Sequence, residues 1–347
     1  MILIFIYIYN INMELLIDNI IKLKRYYKYQ DGTFKLQNGE KIEKPPLSQN
    51  TLKAYESNFK KIAGDNSLEN LEWLNDTKLI IKKLDNLANT TKHNILNTII
   101  VIIQANAPEL KSLSEYIQLR DILYKDYEKK NETGIISDKQ ASSFITLKQW
   151  NKMRSDISTE YTLRSIRGNT SKEELTKLYQ LQLLLTLYNK YPVRNELATL
   201  KKISIDDYKK LKDKNKGNYL VMWKEKMALY LNEYKTSKTF KTNIFVLPLI
   251  IKKMFRLWFK EYNNTDYVFL QNGNEQLTSN NLTKLLIRTS QKYIGKDVKL
   301  STTMIRKVLM SDKYADKNEE QKKDAKKMTH SVETQNKIYV KKPKPQE

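Results

Sequence analysis

Five residues of this chain could together cleave a phosphodiester bond without a metal ion. Arg194 and Arg306 can each donate two parallel hydrogen bonds to phosphate oxygens, and both stay charged at neutral pH. Lys238 lies between them and could protonate a leaving oxygen. His330 precedes Tyr339 by nine positions, so a hydrogen-bond donor and a nucleophile follow the cations. The set predicts phosphoryl transfer, in which cations stabilise the charge on the pentacoordinate phosphate.

The elements that must position these residues are helices around a small sheet. An apolar helix over 175–188 ends at Pro192, just before Arg194, and is expected to be buried. Strand patterns follow at 202–205, 218–223, 227–234 and 243–248, and helices resume from about 249. The fold class predicted for the chain is therefore mainly α with a small antiparallel β-sheet, an α+β class.

The order of the five residues, together with the helix, sheet and helix order, resembles the tyrosine recombinases, the phage-integrase family. The resemblance covers residues 48–347 and is most specific from Arg194 onward. It implies that Arg194 and Arg306 bind the phosphate and that His330 donates a hydrogen bond to it. Tyr339 would be the nucleophile that forms a 3′-phosphotyrosine. The chain contains 22 tyrosines, so this assignment depends on the joint order of the residues.

The lysine that this resemblance implies lies in a β-hairpin shortly before a strand that ends in proline. Lys238 fits this position as general acid on the leaving 5′ oxygen. Lys235 and Lys241 are close rivals that the sequence does not separate from it.

Two positions depart from the family's pattern. An acidic residue commonly follows the first arginine by three positions, whereas Glu196 follows Arg194 by two and is a possible support for it. Thr303 occupies the place of the histidine in the usual His-x-x-Arg motif before Arg306. A threonine hydroxyl forms hydrogen bonds but does not hold a proton at neutral pH as imidazole does. Proton removal from the tyrosine would then rest on other groups.

The sequence predicts four segments. Residues 1–46 form an N-terminal arm with a helical start and a hairpin around Asp31-Gly32, and 47–131 form a helical core-binding domain. Within the latter, helices are expected from Ser48, at 68–74, from Lys78, at 91–103 and at 114–127. Residues 132–144 form a linker, and 145–347 form the catalytic domain. By resemblance, the two domains would close around DNA as a C-shaped clamp.

Composition narrows the possible chemistry. The net charge of +23 favours a polyanionic partner, although a coding bias toward lysine accounts for part of it. No cysteine is present, which excludes disulfides, thiol catalysis and cysteine zinc sites, and the two histidines are far apart. We therefore expect no metal and no cofactor. The apolar residues 1–8 are too few to span a bilayer, so we expect a soluble intracellular protein, in the host nucleus or cytoplasm if viral.

The implied function is site-specific DNA recombination, with integration of a mobile element or viral genome as the implied biology. The implied partner is double-stranded DNA, on which four identical subunits would assemble at two paired sites. The nearest alternative is a type IB topoisomerase, which uses a similar set of residues to relax supercoils. A second alternative is a degenerate recombinase that only binds DNA.

Overall fold

A computed structural model describes residues 2–27, 33–132, 138–213, 216–271 and 274–327, together with Val332. The chain divides into two compact units, Met1–Ile135 and Ile136–Glu347. The division falls within the predicted linker, while the roles assigned to the two units stay predictions. Helix accounts for 62% of the chain and the sheets are small, so the mainly helical α+β class is confirmed.

The first unit is a helical bundle with a two-stranded hairpin. Its helices and strands, in chain order, are α1 (Ile2–Lys22), β1 (Leu36–Gln37), β2 (Glu40–Lys41), α2 (Gln49–Ala63), α3 (Thr77–Leu84), α4 (Asn89–Asn106) and α5 (Leu113–Glu132).

Helix α1 contributes to the core of the first unit. Met13, Leu16 and Ile20 lie at helical spacing and are buried in one cluster with the isoleucines of α4. Helix α2 begins where the sequence predicted, because the Ser48 side chain accepts a hydrogen bond from the Thr51 backbone N–H. Part of the predicted arm therefore packs into the same core as the helices that follow it.

Two local predictions in this unit concern the turn of the hairpin and a helix after α2. The observed hairpin turns at Asn38-Gly39, where both residues have positive φ, as a two-residue type I′ turn requires. The predicted turn at Asp31-Gly32 lies outside the described residues. The predicted helix at 68–74 is wrong, since only a 3₁₀ turn over Glu72–Asn75 forms. The Asn70 side chain accepts from the Glu72 N–H and so competes with a regular helix start.

The second unit combines a four-stranded sheet with helices before and after it. Its helices are α6 (Asp138–Ala141), α7 (Leu147–Arg167), α8 (Lys172–Lys190), α9 (Ile205–Lys210), α10 (Ser237–Phe240), α11 (Leu249–Leu257), α12 (Ser279–Tyr293) and α13 (Thr302–Lys327). Its strands are β3 (Leu200–Ser204), β4 (Asn218–Met222), β5 (Met227–Leu231), β6 (Asn243–Val246), β7 (Leu270–Gln271) and β8 (Glu275–Gln276).

The four predicted strands form one sheet in the order β3-β4-β5-β6. Strands β4, β5 and β6 pair antiparallel, as predicted. Strand β3 pairs parallel to β4, so the predicted antiparallel pairing is wrong for this pair and the sheet is mixed. The connection between β3 and β4 contains α9 and is long enough for the crossover that parallel strands need, whereas a tight hairpin cannot supply it.

Helix α8 runs through the core of the second unit. Its apolar residues Leu183, Leu184, Leu185 and Leu187 are almost fully buried, as the sequence predicted. A capping box between Thr146 and Gln149 starts the neighbouring α7, which packs against α8. The buried helix α8 ends four residues before Arg194 and so restricts the position of that residue.

Candidate active site

The first arginine lies on a short connection between buried elements. After α8, the chain passes through Arg194 into a 3₁₀ turn over Asn195–Thr199 and then enters β3. The hydroxyl of Tyr188, which is fully buried, donates a 2.7 Å hydrogen bond to the backbone carbonyl of Arg194. The peptide of Arg194 is thus anchored to the core, while its side chain is half-buried.

The second arginine lies near the start of α13. Thr302, the first residue of that helix, is buried, Thr303 is exposed, and Arg306 is half-buried. The Nη2 atom of Arg306 is 3.4 Å from the Thr303 hydroxyl, which is a long and weak hydrogen bond. Thr303, which lies where the family that the sequence resembles has a histidine, therefore contacts Arg306.

The fold brings the two arginines together although they are far apart in sequence. Burial lowers the pKa of Arg306, and the positive charge of Arg194 lowers it further, while Glu196 and Tyr188 act in the opposite direction. A guanidinium remains protonated at neutral pH despite such a decrease. We refer to Arg194, Glu196 and Arg306 as the arginine site.

Two charged side chains of this site have unmet hydrogen-bonding capacity. The Nε of Arg306 and the Oε2 of Glu196 are both buried, and neither has a hydrogen-bond partner among the described residues. Glu196 is nevertheless close enough to Arg306 to affect its pKa. A buried guanidinium donor without a partner is unfavourable until an acceptor arrives, so Arg306 is suited to bind an oxyanion, whereas the Glu196 oxygen requires a donor.

Tyr188 forms the buried floor beside the arginine site. Burial raises the pKa of its hydroxyl well above the usual value, Glu196 raises it further, and Arg306 lowers it. The group therefore stays protonated and donates its hydrogen to the Arg194 carbonyl at any physiological pH. It is a structural donor and not an activated nucleophile.

Sequence reasoning did not identify three of the residues that build this site: Tyr188, Asn195 and Thr302. The Thr302 hydroxyl donates a 2.7 Å hydrogen bond to the side-chain oxygen of Asn195, which joins the two arginine-bearing segments. One signal was present, because Thr302 precedes Arg306 by four positions and so shares its helix face. Nothing in the sequence distinguishes Tyr188 from the other tyrosines.

The three candidate lysines lie together in the connection between β5 and β6, a stretch at 235–241 that we call the lysine segment. Lys238 belongs to the four-residue helix α10, Lys235 precedes it, and all three lysines are exposed. Lys241 has a positive φ of 55°, and its carbonyl accepts a 2.7 Å hydrogen bond from the Tyr234 hydroxyl. The predicted hairpin thus carries a helical turn, and no described contact joins these lysines to the arginine site.

The lysine segment is anchored at its base by a buried asparagine. The side-chain oxygen of Asn218 accepts hydrogen bonds of 3.0 Å from the backbone N–H groups of Asn232 and Glu233. Its amide nitrogen donates to the Glu233 carbonyl at 2.9 Å. Asn218 is only 2% exposed, so these bonds fix the chain two residues before Lys235.

The predicted histidine and nucleophile, His330 and Tyr339, lie outside the described residues. Within the ranges that the structure does describe, no group of three or more His, Cys, Asp or Glu side chains could hold a metal ion. In those same ranges, no helix has the length and apolar character needed to cross a bilayer.

Comparison with known proteins does not assign the chain to a family. No family model matches it, and no curated protein sequence matches it significantly.

Proposed function

We propose that this protein is a tyrosine recombinase that cleaves and rejoins DNA strands through a 3′-phosphotyrosine. The observation that carries the proposal is the 2.7 Å hydrogen bond between Asn195 and Thr302, which joins the segments of Arg194 and Arg306 and brings their charges close enough to interact. Two like charges close together are unfavourable unless anionic groups offset them, and Glu196 supplies one negative charge against two positive ones. A DNA phosphate with two non-bridging oxygens fits a pair of planar guanidiniums, each of which can donate two hydrogen bonds.

The proposed reaction begins with attack of the Tyr339 oxygen on the phosphorus, while the phenolic proton passes to a water molecule. A bond forms between that oxygen and phosphorus, and the bond from phosphorus to the 5′ oxygen breaks. A lysine of the lysine segment, Lys238 or Lys235, supplies a proton to the leaving 5′ oxygen. The arginine site and His330 stabilise the charge on the non-bridging oxygens. Rejoining reverses these steps with another 5′ hydroxyl, so no energy-rich cofactor is consumed.

The proposal gives the two units different tasks. The second unit carries the reacting groups, and the helical first unit binds the duplex as a core-binding domain, so that both close on DNA as a C-shaped clamp. The net charge of +23 supplies attraction to phosphates. Four copies on two paired sites would exchange strands, with insertion of a mobile or viral element as the outcome.

One observation favours a second candidate, a DNA-binding protein that has lost cleavage. Thr303, in the position of the expected histidine, contacts Arg306 only through a long hydrogen bond and does not take up a proton at neutral pH. A type IB topoisomerase would use the same arginine pair without site specificity, so only site dependence separates it from a recombinase.

The test is covalent trapping on nicked duplexes that cover the ends of the genetic element encoding the protein. A nick just 3′ of the cleavage site lets the short fragment that carries the leaving 5′ hydroxyl diffuse away, so the phosphotyrosine accumulates. The reaction contains EDTA and is resolved on a denaturing gel. We expect an adduct that is lost in Tyr339→Phe, because that change removes only the nucleophilic oxygen.

Tyr314→Phe is the matched control, since Tyr314 is another tyrosine of the C-terminal region and is exposed on α13. Its adduct should equal that of the wild type. DNA binding without adduct on every duplex would favour the DNA-binding alternative. Adduct formation on unrelated duplexes at equal rates would favour the topoisomerase.

A further inference from the structure

The two guanidiniums of the arginine site are not held by strong side-chain partners of their own. The Nη2 of Arg306 has a 3.4 Å contact with Thr303, and its Nε has no partner among the described residues. No described side chain forms an ion pair with Arg194 or Arg306. Their separation must therefore be set by the backbone segments that carry them.

Among the residues that the structure describes, one short hydrogen bond between side chains joins those two segments. Thr302 donates from its hydroxyl to the Oδ1 of Asn195 at 2.7 Å. Asn195 immediately follows Arg194, and Thr302 lies one helical turn before Arg306 on the same face of α13. Any change in the distance between these two side chains moves one arginine relative to the other.

The surroundings of this bond keep it in place. Thr302 is 5% exposed, so water does not readily replace its acceptor. The amide nitrogen of Asn195 makes a longer contact of 3.5 Å with the Ser279 carbonyl at the start of α12. On the other side of Arg194, the buried Tyr188 hydroxyl holds the Arg194 carbonyl at 2.7 Å. The peptide of Arg194 is thus fixed from both directions.

We propose that Asn195 and Thr302 are positioning residues that set the spacing of Arg194 and Arg306 for a tetrahedral oxyanion, the scissile phosphate of DNA. This inference rests on the proposed function for its substrate. It extends that function by assigning the geometry of the site to a neutral hydrogen bond that touches neither the phosphate nor the reacting atoms. A small misplacement of catalytic groups reduces rates strongly, which gives the bond a measurable effect.

The experiment compares Thr302→Val, which removes the hydroxyl at nearly constant volume, with Thr302→Ser, which keeps it. Each protein is titrated with inorganic phosphate by calorimetry and is assayed for adduct formation on the nicked duplex. For Thr302→Val we expect phosphate affinity to fall about tenfold and the adduct rate to fall roughly 30- to 100-fold. The DNA concentration that gives half the maximal rate should change less than about threefold, because most DNA contacts lie elsewhere. Thr302→Ser should recover to within about threefold of wild type on both measures.

Thr289→Val is the matched control. Thr289 is also 5% exposed, and its hydroxyl donates to the Leu285 carbonyl of its own helix at 2.8 Å. The same loss of a buried hydroxyl there should leave both measures unchanged. A second substrate, with a neutral methylphosphonate at the scissile position, should reduce the Thr302→Val deficit, because it needs less positive charge.

The outcomes separate this inference from the proposed function. Wild-type activity on both measures in Thr302→Val would overturn the inference and leave the proposed function intact. Equal losses in Thr302→Val and Thr302→Ser would also overturn it, since packing and not the hydroxyl would then be responsible. A wild type that binds phosphate but forms no adduct, with affinity lost in Thr302→Val, would support the inference and contradict the covalent step. A wild type that does neither would overturn both.

Discussion

The arginine site and the lysine segment are built in opposite ways. Arg194 and Arg306 are half-buried on segments joined by a short, partly buried hydrogen bond. Lys235, Lys238 and Lys241 are exposed on a connection between two strands, and its regular structure is limited to a single helical turn. The two regions belong to the same unit and carry charges of the same sign, yet only one of them fixes its charges by burial.

The difference follows the physical tasks that we propose for the two groups. A phosphate clamp is more effective when its donors are already in place, because reorganising them during the reaction would cost free energy. A general acid has to reach a leaving oxygen and then withdraw, which an exposed ammonium on a flexible stem can do. The anchor at Asn218 confines that freedom to the residues beyond Glu233.

The largest expected effect comes from removing a guanidinium of the arginine site. Arg306→Ala should reduce the adduct rate by about 10³-fold, or about 4 kcal/mol, because one side of the phosphate loses its donors. Arg306→Lys should recover only part of this loss, since an ammonium lacks the bidentate fork. The measurement is the single-turnover rate of adduct formation at saturating DNA.

The control for Arg306→Ala is Arg256→Ala, which removes an arginine exposed on α11. It should change the single-turnover rate less than about twofold. Equal losses in the two alanine variants would mean that Arg306 acts only through the general charge of the protein, and the contrast between buried and exposed cations would fail.

A second test asks which lysine acts as the acid. Changing Lys235, Lys238 and Lys241 singly to methionine keeps the apolar stem and removes the charge. One variant should lose about 10²-fold in rate, the lower end of a general-acid contribution, and the other two should lose little. A duplex with sulfur in place of the leaving 5′ oxygen should restore that variant, because a thiolate leaves without protonation. Three equal, small losses on the oxygen substrate would show that no lysine of the segment is the acid.

The smallest effect is expected from the anchor below the lysine segment. Asn218→Ala leaves two backbone N–H groups and one carbonyl without their side-chain partner, and the N–H of Asn232 is buried, so the free energy of unfolding should fall by about 2 kcal/mol. Denaturant unfolding measures this loss. Asn243→Ala, at an exposed position on β6, should change stability by less than about 0.5 kcal/mol. Equal values for the two variants would contradict the assignment of Asn218 as an anchor.

The sequence predicted regular elements better than the contacts between them. Alternating or periodic apolar residues identified the four strands of the sheet and the buried helix α8, because such patterns are local. The parallel pairing of β3 with β4 depends on the path of the intervening chain, which no short pattern encodes. The 3₁₀ turn at Glu72–Asn75 resulted from a side chain that competes for backbone hydrogen bonds.

The candidate site shows the same difference between what local residue types predict and what contacts between distant segments decide. Residue type and order were enough to select Arg194 and Arg306, because few side chains suit a phosphate. The residues that support them, Tyr188, Asn195 and Thr302, are chemically ordinary and act through bonds between distant segments. Their roles become visible only when the chain is folded.

The hydrogen bond between Asn195 and Thr302 also has a consequence for how this sequence can diverge. One partner must donate and the other must accept, so a change that removes the donor or the acceptor is tolerated only with a compensating change at the other position. In an alignment of homologues, the columns of these two positions should co-vary while the neighbouring arginine columns stay constant. This paired signature offers a more specific search pattern for distant relatives than the arginines alone.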